Sequence, residues 1–278
     1  MNKFDVFIKN LIKKLKIRIF YNPINFYYLL KKKYYFQIED IEEDEFIFYS
    51  HLGLGDQIIL NGLINVLSES FKKIYLITNN KFKNNAKYLY RNNKKIDIYY
   101  LSQDLDKFDQ SYPSYQKEVI ALSDKINKKI LRVGYNQKDK KIHFSKAFYK
   151  QLNIDFDNSY SEFKIDSDLN KEEILLQELR KYYQVSEDFI LVHNEHSTGI
   201  LNLNKIENKN IIYVSKDSDP FNNIFLYKKI IQEAKEIHCI NSSFVHLVDR
   251  INTNAELFYH NIIGSFPDLR KEWKHVNY

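Results

Sequence analysis

Three short stretches of this 278-residue chain carry side chains that could do chemistry. The first runs His51-Leu52-Gly53-Leu54-Gly55-Asp56-Gln57-Ile58-Ile59-Leu60-Asn61-Gly62 and holds three of the chain's six glycines. In a chain so poor in glycine, the residue marks places where backbone geometry or a close approach calls for it. Phe46-Ile47-Phe48-Tyr49 leads in and an apolar stretch to Leu67 leads out, which reads as strand, glycine turn, helix. Such a turn brings backbone N–H groups and one carboxylate, Asp56, to a helix start. Asp56 then has two readings that do not exclude each other: an N-cap for orphan N–H groups, or a general base facing a ligand.

The second stretch is Ile240-Asn241-Ser242-Ser243-Phe244-Val245-His246. Two hydroxyls and the free N–H groups of a helix N-terminus make an anion pocket, and His246 on the first turn would reach the same anion. The plainer reading is a serine N-cap with His246 as a satisfied partner. The third stretch, His193-Asn194-Glu195-His196-Ser197, follows a strand; two histidines without a third ligand do not make a zinc site. Lys216, after the run Ile211–Ser215, could meet a phosphate or be an ordinary exposed loop lysine.

Two common nucleotide signatures fail. In the G-x-G-x-x-G fingerprint Ile58 takes the third glycine's place, and Thr78-Asn79-Asn80 stands where the ribose-binding acid belongs. The Walker pattern is absent, which argues against a P-loop kinase or ATPase.

The elements that must position these residues alternate. After the helix to about Phe71 come a strand at Lys73–Thr78, a helix at Phe82–Arg91 and a strand at Ile96–Leu101. Residues 103–129 read as polar helix interrupted near Pro113, and Ile130–Gly134 as a strand. The charged, aromatic stretch 136–170 holds the expected domain junction. A second series follows: helix Glu172–Tyr183, strands Phe189–His193 and Ile211–Ser215, helix Phe225–Lys235, strand Glu236–Ile240, helix Phe244–Ile251 and strand Ala255–Tyr259. A short C-terminal helix containing Trp273 is expected after Pro267. This alternation predicts an α/β protein of two Rossmann-like domains with parallel sheets, facing a cleft. The expected divisions are a basic helical segment at 1–40, an N-terminal domain at 41–165 and a C-terminal domain at 166–278.

Composition supports a globular chain: 44% of residues are hydrophobic, enough for a sizeable core. The single cysteine, Cys239, excludes an internal disulfide framework, sits in an apolar run as a core residue, and fits a cytosolic compartment. The net charge of +6 is uneven: residues 1–35 carry nine Lys or Arg against Asp5, and residues 39–45 carry six acids. Phe4, Phe7, Ile8, Leu11 and Leu15 share a helical face, which suits either packing on the protein body or an anionic membrane surface. No nucleic-acid signature accompanies the charge. No apolar run is long enough to span a membrane, and no signal peptide is expected.

Taken together, these residues resemble glycosyltransferases of the two-Rossmann (GT-B) fold, especially the heptosyltransferase-like family 9. That family places a Gly-Asp turn after its first strand, and HLGLGDQIILNGLINVL is similar to it. Late in the chain it carries a strand, a small polar pair and an apolar helix of the form D-[ST]-x-x-x-H-L-A, which EIHCINSSFVHLVDRI resembles at Ser242, Ser243 and His246. Asn241 stands where an Asp is common, and Thr198-Gly199 where the family often has a Lys or Arg. The resemblance covers residues 45–260.

It implies an inverting transfer that uses neither metal nor cofactor, from a nucleotide-sugar to a glycan acceptor of the surface-polysaccharide or lipopolysaccharide type. Asp56 would be the general base, with Gly53, Gly55 and Asn61 on the acceptor side. Asn241, Ser242, Ser243, His246, Lys216, His193 and Asn194 would hold the donor diphosphate. The expected place of work is the cytoplasm, at the inner face of a membrane if residues 1–35 bind lipid. Three alternatives stay open: a catalytically silent glycan- or nucleotide-binding member of the same fold, another Rossmann-like transferase, and a peripheral membrane protein whose basic N-terminal helix is its main functional element.

Overall fold

The computed structural model describes residues 34–102, 109–134, 142–186, 188–196, 199–203, 206, 210–262 and 267–278, together with Pro23 and Tyr27. The expected N-terminal amphipathic helix lies almost wholly outside the described residues. The chain divides into two compact units. One comprises 1–53, 67–83 and 94–155; the other comprises 54–66, 84–93 and 156–278.

The first unit is built on a five-stranded sheet of β1 (Tyr34–Tyr35), β2 (Glu45–Tyr49), β3 (Lys73–Asn79), β4 (Ile96–Leu101) and β5 (Ile130–Arg132). Its order is β1-β5-β2-β3-β4, with every pairing parallel. Strands covered on both faces read as continuous apolar runs, and Phe46, Ile47, Phe48 and Tyr49 of β2 are all fully buried. On one face Ile47, Tyr49, Ile77 and Ile130 pack with Tyr115, Val119, Ile120 and Leu122. These last four lie on helix Pro113–Ile126. Each such aliphatic side chain contributes about 1.5–3 kcal/mol on burial. Pro113 begins this helix rather than interrupting one: it sits at N1, where its missing N–H costs nothing. Arg132 at the end of β5 is fully buried, its Nε donating to Gln110 Oε1 at 2.8 Å and its guanidinium 4.6 Å from the Tyr34 ring centroid.

The second unit has its own parallel sheet of β6 (Ile190–His193), β9 (Ile211–Tyr213), β10 (Glu236–Cys239), β11 (Glu256–Asn261) and β12 (Lys274–Asn277). The order is β12-β11-β10-β6-β9. Between β6 and β9 lies a small antiparallel hairpin, β7 (Glu195–His196) and β8 (Gly199–Ile200).

The C-terminal helix expected around Trp273 is replaced by β12, which extends the sheet through pairs from Phe258↔Lys274 to Asn261↔Asn277. This edge strand is largely exposed, so its sequence lacks an apolar run. Trp273, just before it, is buried and donates from Nε1 to Asp249 at 3.0 Å. The helix expected at 225–235 opens as a 3-10 turn at Ile224–Tyr227, with Asn223 accepting from Phe225 N, and continues as Lys228–Glu233.

In an open α/β sheet, ligands bind outside the carboxyl ends of the strands where the strand order reverses. In the first sheet that point lies between β2 and β5; in the second it lies between β6 and β10.

Candidate functional site

Helix α1 spans Leu54–Ser70, with Gly53 in the N-cap position at φ −67° and ψ 149°. The expectation that Asp56 caps the helix is therefore corrected: Asp56 is the third helical residue, partly exposed, on a turn where the macrodipole favours an anion. Neither Gly53 nor Gly55 has a positive φ. Close approach is what Gly62 serves, while Gly55 sits at ordinary contact distance. A Cβ on Gly55 would lie 3.4 Å from His246 Cδ2 and 3.6 Å from Ser243 Cα. One on Gly62 would lie 2.1 Å from the Asn158 carbonyl oxygen.

The second helix of interest, α2, spans Ser243–Arg250 and starts at the carboxyl end of β10. Cys239 and His193 are register partners, so β10 and β6 end level with each other. Ser242 occupies the N-cap position, but its hydroxyl makes no cap bond. It pairs with His193 Nδ1 at 3.1 Å across the strand reversal. The first-turn N–H groups of a helix have no intrahelical acceptor, and here the serine does not supply one. Asn241, Ser242 and Ser243 are partly exposed, whereas Phe244–Asp249 are buried.

His193 is buried and stacked on Phe244, with ring centroids 5.2 Å apart. Burial pulls its pKa down to about 4, so the ring is neutral at pH 7 and acts as a hydrogen-bonding group, not a cation. Cys239, beside it in the sheet, is wholly buried, and burial pushes its thiol up, which makes it inert core.

The rest of α2 is bolted down. Asp249, 2% exposed, accepts from Tyr160 Oη at 2.8 Å, Arg270 N at 2.9 Å, Lys271 N at 3.1 Å and Trp273 Nε1. Arg250 donates to Ser159 O at 2.9 Å and to His246 O at 3.1 Å, with its guanidinium 4.4 Å from the Tyr160 ring centroid. Lys271 Nζ donates to the carbonyls of Val248 and Ile251 at the helix C-terminus.

This geometry can be set beside known proteins. No protein-family model matches the chain, and no curated protein does. Among solved structures, the crystal structure of the glycosyl transferase family 9 from Veillonella parvula DSM 2008 superposes with a TM-score of 0.55 at 14% identity, covering 89% of this chain and 87% of that one. The fold is that of a glycosyl transferase family 9 structure. At this identity the likeness speaks for the fold, which matches the expectation drawn from the two motifs.

Within this family 9 fold the expected site residues separate into groups. Gly55, Asp56, Asn241, Ser242, Ser243, His246 and His193 are brought together by the α1–α2 approach and the β6–β10 register. His246 is 6% exposed with its ring edge against Gly55, so it joins two backbone segments. Asn61 is fully buried: its Oδ1 accepts from Lys164 N at 2.8 Å and Asn65 Nδ2 at 3.2 Å, tying α1 to residues 158–164. Asn194 Nδ2 donates to Leu201 O at 2.8 Å and closes the β7–β8 hairpin. Lys216 is exposed on the loop after β9. A shallow pocket beside that loop is lined by Glu178, Asp217 and Asp219 along with Lys181 and Tyr182, and three carboxylates make it a poor anion site.

The mounting of His51 in the first unit lies outside the roles expected from the sequence. At the β2–β5 reversal, Ser50 Oγ donates to Val133 O at 3.0 Å and His51 Nε2 lies 3.2 Å from Gly134 O. Gly134 has φ +80°, and a Cβ there would strike Phe148 Cε1 at 2.5 Å. A glycine closing an apolar strand was the signal available. Asp249 also lies outside those roles; its signal was a lone acid on the apolar face of α2.

Proposed function

We propose that the chain is a glycosyltransferase that moves a sugar from a nucleotide-diphosphate donor to a glycan acceptor by inverting, metal-independent displacement. The observation that carries this reading is the approach of Gly55 to Ser243 and His246. It brings the turn bearing Asp56 against the helix start bearing Ser242 and Ser243, two groups of opposite chemical use, on the family 9 fold.

In the reaction, the acceptor hydroxyl gives its proton to the Asp56 carboxylate as its oxygen bonds to the anomeric carbon. The bond from that carbon to the donor's diphosphate oxygen breaks, and the diphosphate leaves with the electron pair. The N-terminus of α2 and the Ser242 and Ser243 hydroxyls stabilise the charge on the departing group. Neutral His193 fixes the Ser242 hydroxyl. His246 keeps the two segments in contact, a positioning role. A proton acceptor of this kind is worth about 10²–10⁴-fold in rate.

The test is Asp56→Ala assayed against a panel of nucleotide sugars. Transfer is expected to fall by about 10²-fold or more, with donor affinity within about threefold of wild type. Unchanged turnover in Asp56→Ala would remove Asp56 from the reaction.

A further inference from the structure

His51 lies on the strand-to-helix connection, five residues before Asp56, at the carboxyl end of β2 where the first sheet reverses its order. Its ring is held in one orientation. Nε2 is 3.2 Å from the Gly134 carbonyl oxygen, and the ring lies over Phe148 with centroids 5.6 Å apart. A carbonyl oxygen can only accept, so Nε2 must carry the proton. In the neutral ring this leaves Nδ1 with a bare lone pair. Among the described residues Nδ1 makes no hydrogen bond, and His51 is partly exposed.

The mount is built for rigidity. Gln151 Oε1 accepts from Gly134 N at 2.8 Å, while its Nε2 donates to Arg132 O at 2.7 Å and Phe36 O at 2.9 Å. One half-buried carboxamide thus fixes the peptide that fixes the imidazole. Gly134 has to be glycine, since a side chain there would strike Phe148 and crowd His51 Cδ2 at 3.0 Å. A chain that only packed a histidine would not need its tautomer set through two successive hydrogen bonds. The same arrangement, a carbonyl on one imidazole nitrogen, orients histidines whose other nitrogen binds a ligand.

We propose that His51 is a binding residue for the sugar acceptor, its Nδ1 accepting a hydrogen bond from an acceptor hydroxyl. Sugar hydroxyls are the fitting partners: each is a donor, and a neutral lone pair on a fixed ring selects for direction. The proposal rests on the glycosyltransferase reading for its place in the reaction, but not for its geometry.

Two measurements on the full chain test it. In long-range 1H–15N spectra at pH 8, His51 should show the Nε2–H tautomer, and its Nδ1 resonance should move when a methyl glycoside from a panel of gluco, galacto, manno and N-acetylglucosamine forms is added. An Nδ1–H tautomer, or an Nδ1 resonance indifferent to every glycoside, overturns the proposal. In transfer assays, His51→Phe should raise the acceptor KM about tenfold with kcat and donor KM within about threefold, and His51→Gln, which keeps an acceptor oxygen, should recover most of that loss. Equal loss in both variants, or a change confined to kcat, overturns it. Glycoside shifts at His51 in a protein that transfers no sugar would leave this subsite standing and overturn the transferase reading alone.

Discussion

The backbone of Gly55 runs under the ring edge of His246, so that a methyl group on Gly55 would sit 3.4 Å from His246 Cδ2. That separation is ordinary van der Waals contact, and the contact joins two motifs nearly two hundred residues apart in sequence. At Gly62, about two helical turns further along, the space is gone: the same methyl would lie 2.1 Å from Asn158 O.

The two glycines therefore predict opposite outcomes. Gly55→Ala fits the space and gains helix propensity, so its stability should stay within about 1 kcal/mol of wild type. Gly62→Ala must push the backbone at Asn158 aside and should cost about 1–3 kcal/mol. Urea denaturation midpoints of the two variants separate the cases; equal midpoints would mean that residues 158–164 do not lie against α1.

Asp249 predicts a coupled loss. Its carboxylate gathers four donors from residue 160 and from 270–273. Asp249→Ala leaves those donors without an acceptor and should cost about 3 kcal/mol or more. Trp273 is the chain's one tryptophan and is 8% exposed. Its fluorescence should shift to the red in Asp249→Ala under native conditions, as the segment before β12 loosens. An unshifted spectrum would show that the segment is held some other way.

Acid should destabilise the second unit through His193. Folding lowers its pKa from 6.5 to about 4. Between these values the unfolded chain binds the proton that the folded chain refuses. Stability is thus whole above pH 6.5 and falls as pH drops toward 4, by at most about 3 kcal/mol. Burial lowers the pKa of His238 as well, which adds to the same slope. His193→Phe should flatten the loss measured by denaturation at stepped pH values, and an unchanged slope would contradict the assignment.

Much of this was legible in the sequence where local signals sufficed. β2 and β6 are buried on both faces, so each appears as an apolar run, and the helices after them follow from alternation. Long-range pairing was not legible. Ser242 looked like an N-cap because its neighbours begin a helix, yet its hydroxyl goes to His193, 49 positions earlier. Asn61 looked free to bind an acceptor, yet the backbone of Lys164 claims its oxygen. β12 exists because β11 offers an edge, which nothing in Lys274-His275-Val276-Asn277 announces. The glycines of the first motif signalled either a turn or a close approach, and only the Asn158 backbone against Gly62 decides for close packing there.

The central claim is a division of labour: Ser242 and Ser243 hold the donor diphosphate, and Asp56 does not. Calorimetric titration of UDP, GDP and ADP into the wild-type chain, into the Ser242→Ala/Ser243→Ala double variant and into Asp56→Ala tests it most directly. At least one nucleotide should bind the wild type, bind the double variant about tenfold or more weakly, and bind Asp56→Ala as it binds the wild type. Full affinity in the double variant together with lost affinity in Asp56→Ala would contradict the account.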